Sequence, residues 1–128
     1  MAEQAARQAM QVAGITAKDV GMIIIATTTP ENMFPSTACM LQHRLGIAGC
    51  PAFDLNSTAC AGFVTATDIA TKFIMADPRY QHILVVGAYG MSKHFDWADF
   101  KVTSVFADGA GAAILSRTND SELRVLGS

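Results

Sequence analysis

A chain of 128 residues, 51% of them apolar, is long enough to bury a core as one domain and too apolar for a disordered tail. Nine Lys and Arg against eleven Asp and Glu leave a net charge of −2 with no basic tract, which argues against a nucleic-acid surface. Charged residues make up only 16%, against ~25% in an average domain, so part of the surface is expected to be covered by an oligomer interface or by more of the same polypeptide.

The longest aliphatic run, Met22 to Ala26, is far short of the roughly 18 residues of a membrane helix, and no membrane association is expected. The first ten residues carry Glu3 and Arg7 but no basic patch followed by an apolar stretch, so they do not read as a secretory leader. Cys39, Cys50 and Cys60 have neither CxxC spacing nor paired histidines nearby, and no metal site is expected. An odd cysteine count without a leader predicts free thiols in a reducing compartment, and hence a cytoplasmic protein.

In chain order, Ala2 to Ala13 places Ala6, Ala9, Met10 and Ala13 at helical spacing, with Gly14 as the stop. Gly21 to Thr27 is β-branched without alternation and reads as a strand buried on both faces. Thr28 to Pro35 reads as a loop. Ser36 caps a helix that runs to Leu45 and ends at Gly46, and Ala52 to Asn56 is a short strand. A second long helix spans about Cys60 to Met75, with Phe63, Ala66, Ala70, Phe73 and Ile74 on one face and an Asp68–Lys72 pair on the other. Asp77-Pro78 ends it.

His82 to Ala88 is another buried strand, and Tyr89 to Asp99 a loop. Val102 to Phe106 reads equally as strand or helix. Asp108-Gly109-Ala110-Gly111 is followed by a strand over Ala112 to Ser116, and Leu123 to Leu126 opens one more. Strands alternating with helices predict an α/β fold with a mostly parallel sheet. A parallel unit ordinarily opens on a strand. One is therefore expected to be missing ahead of the first helix, and residues 1–128 to form a single partial domain.

The informative segment is Phe53-Asp54-Leu55-Asn56-Ser57-Thr58-Ala59-Cys60-Ala61-Gly62-Phe63, in which a strand runs through small residues into a cysteine and then a helix. Cys60 thus falls at a helix N-terminus, where unpaired N–H groups and the helix dipole favour a thiolate, and a thiolate there is a nucleophile. The competing reading is a small core residue. Cys39, within a helix, and Cys50, in a turn, read as packing residues. Asp108-Gly109-Ala110-Gly111-Ala112 is not a phosphate loop, because Ile114 stands where a third glycine belongs and the segment leads into a strand; it reads as a tight turn with close backbone packing. Among His43, His82 and His94, the loop residue His94 is the least implausible base for Cys60, but each reads rather as a solvated or structural histidine, so the sequence offers a nucleophile without a convincing partner.

Four segments together resemble the N-terminal half of a β-ketoacyl-[acyl-carrier-protein] synthase III, a condensing enzyme of the thiolase superfamily. They are Ala26-Thr27-Thr28-Thr29 with Phe34-Pro35-Ser36; Leu45-Gly46-Ile47 through Asp54; Ala59-Cys60-Ala61-Gly62-Phe63; and Phe106-Ala107-Asp108-Gly109-Ala110-Gly111-Ala112. The resemblance implies one half of a duplicated, layered thiolase-like fold, with helices on both faces of a mixed, mostly parallel sheet. It implies that Cys60 accepts an acyl group from acyl-CoA and that malonyl-acyl carrier protein is the second substrate, with no cofactor. The Cys60 N–H would belong to an oxyanion hole, worth roughly 10²–10³ in rate per donor.

The resemblance further implies a homodimer, with Phe34 reaching into the partner's pocket and the strand near His82 to Gly87 pairing across the interface. The family's catalytic His and Asn lie in its second half and match nothing here, so the chain by itself is expected to be inactive. There are departures. Asp96-Trp97-Ala98-Asp99 is followed by Phe100 rather than the family's Arg, and Ala107 replaces a usual glycine. They leave open whether the role is fatty-acid initiation or specialised ketide synthesis. Two other classes compete: a non-catalytic α/β half-subunit that assembles with a complementary chain, and a cysteine hydrolase that uses His94.

Overall fold

The computed structural model describes residues 1–56 and 59–119. Ser57, Thr58 and the strand expected over Leu123 to Leu126 lie outside them. Its elements are α1 (Ala2–Ala13), β1 (Met22–Ala26), α2 (Thr37–Leu45), β2 (Ala52–Leu55), α3 (Gly62–Ala76), β3 (His82–Tyr89), α4 (Phe100–Thr103) and β4 (Gly109–Ser116). Short 3₁₀ turns occupy Ala59–Ala61 and Met91–Lys93.

The four strands form one sheet in the order β2-β1-β3-β4. β1 pairs in parallel with β2 and with β3, and β4 runs antiparallel to β3 from Tyr89↔Gly109 to His82↔Ser116. The unbroken apolar run of β1 is explained by what covers it. Ile23 and Ile25, with Leu84 and Val86 of β3, face Ala6 and Met10 of α1 and Ala38, Leu41 and Leu45 of α2. Met22, Ile24 and Ala26, with Ile83 and Val85, face Ala66 and Ala70 of α3. A strand buried on both faces needs no polar alternation. The mixed, mostly parallel sheet with helices on both faces is the architecture anticipated from the sequence.

Two helices on the first face end alike. Gly14 and Gly46 take left-handed φ values of 68° and 69°, and the following Ile15 and Ile47 N–H groups donate back to Met10 O and Gln42 O at 3.1 and 3.0 Å. Glycine takes this conformation without a Cβ clash, and the isoleucine that follows turns into the core. At the start of α2 the Ser36 side chain accepts from Cys39 N at 3.2 Å, the cap expected there.

Several sequence expectations need correction. The strand after Asp108 begins at Gly109, not Ala112, so the glycine-rich segment is ladder rather than tight turn. A Cβ at Gly109 or Gly111 would meet open space, not a close-packed backbone. The ambiguous Val102 to Phe106 stretch holds the end of a one-turn helix whose Asp99 side chain accepts from Lys101 N. Of the apolar positions on α1 only Ala6 and Met10 are buried, and Phe73 of α3 lies partly exposed, edge-on to Tyr80. Ala59–Ala76 is long and apolar enough to cross a membrane by length and composition, which the run-length reading missed. Its Ala66 and Ala70 nevertheless pack on the sheet, as in the core helix of an α/β layer.

Candidate active site

β1 leads into α2 on one face of the sheet, and the neighbouring β2 leads into α3 on the other. Adjacent strands whose following helices part in this way open a crevice beyond their carboxyl ends, the usual ligand site of such sheets. An open, mainly apolar cleft of ≈ 710 Å³ lies in this region. Thr28 reaches it from the end of β1, Cys60 from the turn after β2, Tyr89 from the end of β3, and Asp108 to Ala112 form another wall.

Cys60 sits in the 3₁₀ turn immediately before α3 and is exposed. The backbone before it is unusual: Ala59 has φ of 41°, the one non-glycine residue with positive φ among the described residues. For an alanine this costs about 1–2 kcal/mol, and such departures gather at functional turns. The turn is braced from β3, where Tyr89 Oη donates to Ala59 O at 2.8 Å. Burial, and secondarily the charge of Cys60, push the Tyr89 phenol above its usual range. Behind Cys60, Phe63 packs on Gly87 of β3.

The loops around the cleft are tied together by short polar side chains. Thr27 Oγ1 accepts from Thr29 N at 3.1 Å, and Thr29 Oγ1 accepts from Gly90 N at 2.8 Å, joining the exits of β1 and β3. Asp108 accepts from Ser92 N at 2.7 Å and from Ser92 Oγ at 2.6 Å, and these bonds lower its pKa below the usual carboxylate value. Asp54, in the strand that leads toward Cys60, instead serves α2. Its two oxygens accept from Thr37 N at 2.8 Å and Ala38 N at 2.7 Å.

Cys60, the candidate nucleophile of the sequence, is thus one of the residues that line the cleft. Phe34 does not line it; that ring stands 90% exposed beside Met33. His43 and His94 are exposed and His82 Nδ1 pairs with Ser116 Oγ at 2.8 Å; none of the three lines the cleft. The hydrolase reading through His94 thus has no geometric support. Cys39 is exposed, contrary to its reading as a packing residue, whereas Cys50 is half-buried against the core and accepts a Gln42 amide N–H. No cluster of metal-ligating side chains occurs among the described residues. Tyr89, read from the sequence as the start of a loop, and the packing of Phe63 on Gly87 escaped the sequence reading. A tyrosine closing a buried strand was the available signal, since its hydroxyl needs a partner.

Residues 53–128 match the family model for 3-oxoacyl-[acyl-carrier-protein (ACP)] synthase III. The β-ketoacyl-[acyl-carrier-protein] synthase III of Xanthomonas campestris pv. campestris is 46% identical over 117 residues, which are 91% of this chain and 35% of that protein. The crystal structure of 3-oxoacyl-[acyl-carrier-protein] synthase III from Aquifex aeolicus superposes with a TM-score of 0.89 at 43% identity, covering 94% of this chain and 38% of that one. A tetronic acid condensing enzyme superposes with a TM-score of 0.83 at 32% identity, over 94% of this chain and 36% of its own. The chain thus spans about a third of the length of the relatives it matches. With its sheet and most of its sequence accounted for in this way, the chain belongs to the 3-oxoacyl-[acyl-carrier-protein] synthase III family.

Proposed function

We propose that Cys60 is the acyl-accepting nucleophile of a condensing acyltransferase. The observation that carries this reading is the placement of an exposed Cys60, on a turn entering α3, in the cleft beyond the carboxyl ends of the parallel strands. The Cys60 sulfur attacks the thioester carbonyl of an acyl-CoA, and coenzyme A leaves as its thiol with the proton that Cys60 gives up. Malonyl-acyl carrier protein then loses CO₂, and the resulting enolate carbon attacks the Cys60 thioester. The carbon–sulfur bond breaks, releasing 3-oxoacyl-acyl carrier protein and restoring the thiolate. The Cys60 N–H helps to hold the oxyanion in both steps.

None of the chain's three histidines lines the cleft, so the decarboxylative half is assigned to groups that residues 1–128 do not supply, and this chain alone is expected not to condense. The same reading has a cytoplasmic homodimer in which Phe34 enters the partner's pocket. Three free cysteines and the near-complete exposure of Met33 and Phe34 support it. The tetronic acid relative keeps a specialised ketide role beside fatty-acid initiation.

The test is intact-mass analysis of the complete protein after incubation with a short acyl-CoA. One acyl adduct that is lost in Cys60→Ala is expected. No adduct, or an adduct that survives Cys60→Ala, overturns the reading.

The exposed Val64, Trp97, Phe100 and Val105 favour a second reading, a non-catalytic half-subunit covered by a complementary chain. It predicts a stoichiometric complex that Cys60→Ala leaves intact. A well-behaved monomer on size-exclusion chromatography would count against it.

A further inference from the structure

Three features converge on the residue before Cys60. Ala59 is held at positive φ, which an alanine does not keep unaided. Its carbonyl oxygen accepts one side-chain hydrogen bond, from Tyr89 Oη at 2.8 Å. Tyr89 closes β3, a strand paired on both sides over most of its length, so the phenol projects from a rigid support. Both Tyr89 and Cys60 line the cleft.

We propose that Tyr89 is the positioning residue of Cys60: by holding the Ala59 carbonyl it fixes the turn from which Cys60 projects into the cleft. This rests on the reading of Cys60 as the nucleophile. Without the hydroxyl, Ala59 relaxes toward an ordinary φ, the peptide into Cys60 rotates, and the sulfur leaves its place ahead of α3. The elevated Tyr89 pKa fits the role. Burial, the larger cause, favours the protonated phenol, which is the state that donates.

The first test is alkylation by iodoacetamide, followed at each cysteine by mass spectrometry across a pH series, in the 128-residue chain and its Tyr89→Phe variant. Cys60 is expected to react about fivefold more slowly in the variant at neutral pH, the worth of one net hydrogen bond, with a displaced pH profile. Cys39 and Cys50 are internal controls and should keep their rates. An unchanged Cys60 rate and profile overturns the proposal.

If all three rates rise together, Tyr89→Phe has unfolded, and a second measurement decides. Ala59→Gly, which takes a positive φ without a brace, is then introduced beside Tyr89→Phe, and the double variant should fold and return the Cys60 rate toward that of the parent chain. A double variant that stays unfolded, or that folds with Cys60 still slow, overturns the proposal. Cys60 that is alkylated normally but never acylated by acyl-CoA would instead overturn the acyl-transfer reading and leave the positioning role standing.

Discussion

Phe63, in the first turn of α3, rests on Gly87 in β3 so closely that a Cβ at Gly87 would lie 3.3 Å from Phe63 Cδ2 and 3.6 Å from Phe63 Cβ. A glycine in mid-strand weakens the strand, and here it makes room for an aromatic ring. The contact seats the start of α3 on the sheet two residues after the turn that carries Cys60.

Gly87→Ala is accordingly expected to destabilise the chain by about 1 kcal/mol, because the Phe63 ring must shift slightly to admit the methyl group. Phe63→Ala should relieve most of that strain, so the double variant should cost less than the sum of the singles. A urea-denaturation double-mutant cycle measures the coupling, and strict additivity would show that the two residues do not press on each other.

Asp54 caps α2 from a neighbouring strand through two backbone N–H groups, one of them on the fully buried Ala38. Asp54→Ala is expected to cost about 1–2 kcal/mol, as losses of helix N-caps do. Asp54→Asn, which keeps one acceptor, should cost less. Urea midpoints that rank the two variants in the opposite order would contradict the capping role.

Asp108 bridges the turn after β3 to the start of β4 through Ser92. Hydrogen bonds from the Ser92 hydroxyl and N–H lower its folded-state pKa, so the tether contributes stability above the usual carboxylate pKa and loses it as pH falls through the depressed folded value. Protection of the Ser92 amide from hydrogen exchange should therefore hold near pH 6 and fade below about pH 4. Asp108→Asn should flatten this acid dependence; the same pH profile in both proteins would assign the effect elsewhere.

Phe34 touches no core cluster of this chain and is 90% exposed, so Phe34→Ala should leave the stability of the 128-residue chain within about 0.5 kcal/mol. In the complete protein the same substitution is expected to slow acyl transfer to Cys60 several-fold, because the proposed partner pocket loses a wall. Stopped-flow acylation and thermal melts of the two proteins separate these outcomes. A large melting shift in the short chain would mean that Phe34 packs internally.

Features written in neighbouring residues are legible in the amino-acid sequence. The Met22 to Ala26 run with its three β-branched isoleucines, the Ser36 and Gly46 boundaries of α2, and the Asp77 end of α3 follow from side-chain branching, hydroxyl capping, glycine at positive φ and the proline after Asp77. These act within a turn or two of chain, so a single sequence displays them. Cys60 is legible in the same way, as a cysteine between a strand and a helix.

The tertiary structure decided what depends on partners far along the chain. Gly109-Ala110-Gly111-Ala112 has little strand propensity and became ladder because β3 offered it a row of N–H and C=O groups. Asp54 found its amides across 17 residues and Tyr89 its carbonyl across 30. No local rule places such pairs, because each exists only after the sheet has fixed the distance between its members. The sequence by itself thus determined the alternating elements and a cysteine poised before a helix. Packing decided which strand runs antiparallel, which histidines stay out of the cleft, and which tyrosine braces the turn before Cys60. The physical reason is that elements form from short-range preferences, whereas a site is made of hydrogen bonds and contacts that only the assembled layers bring within reach.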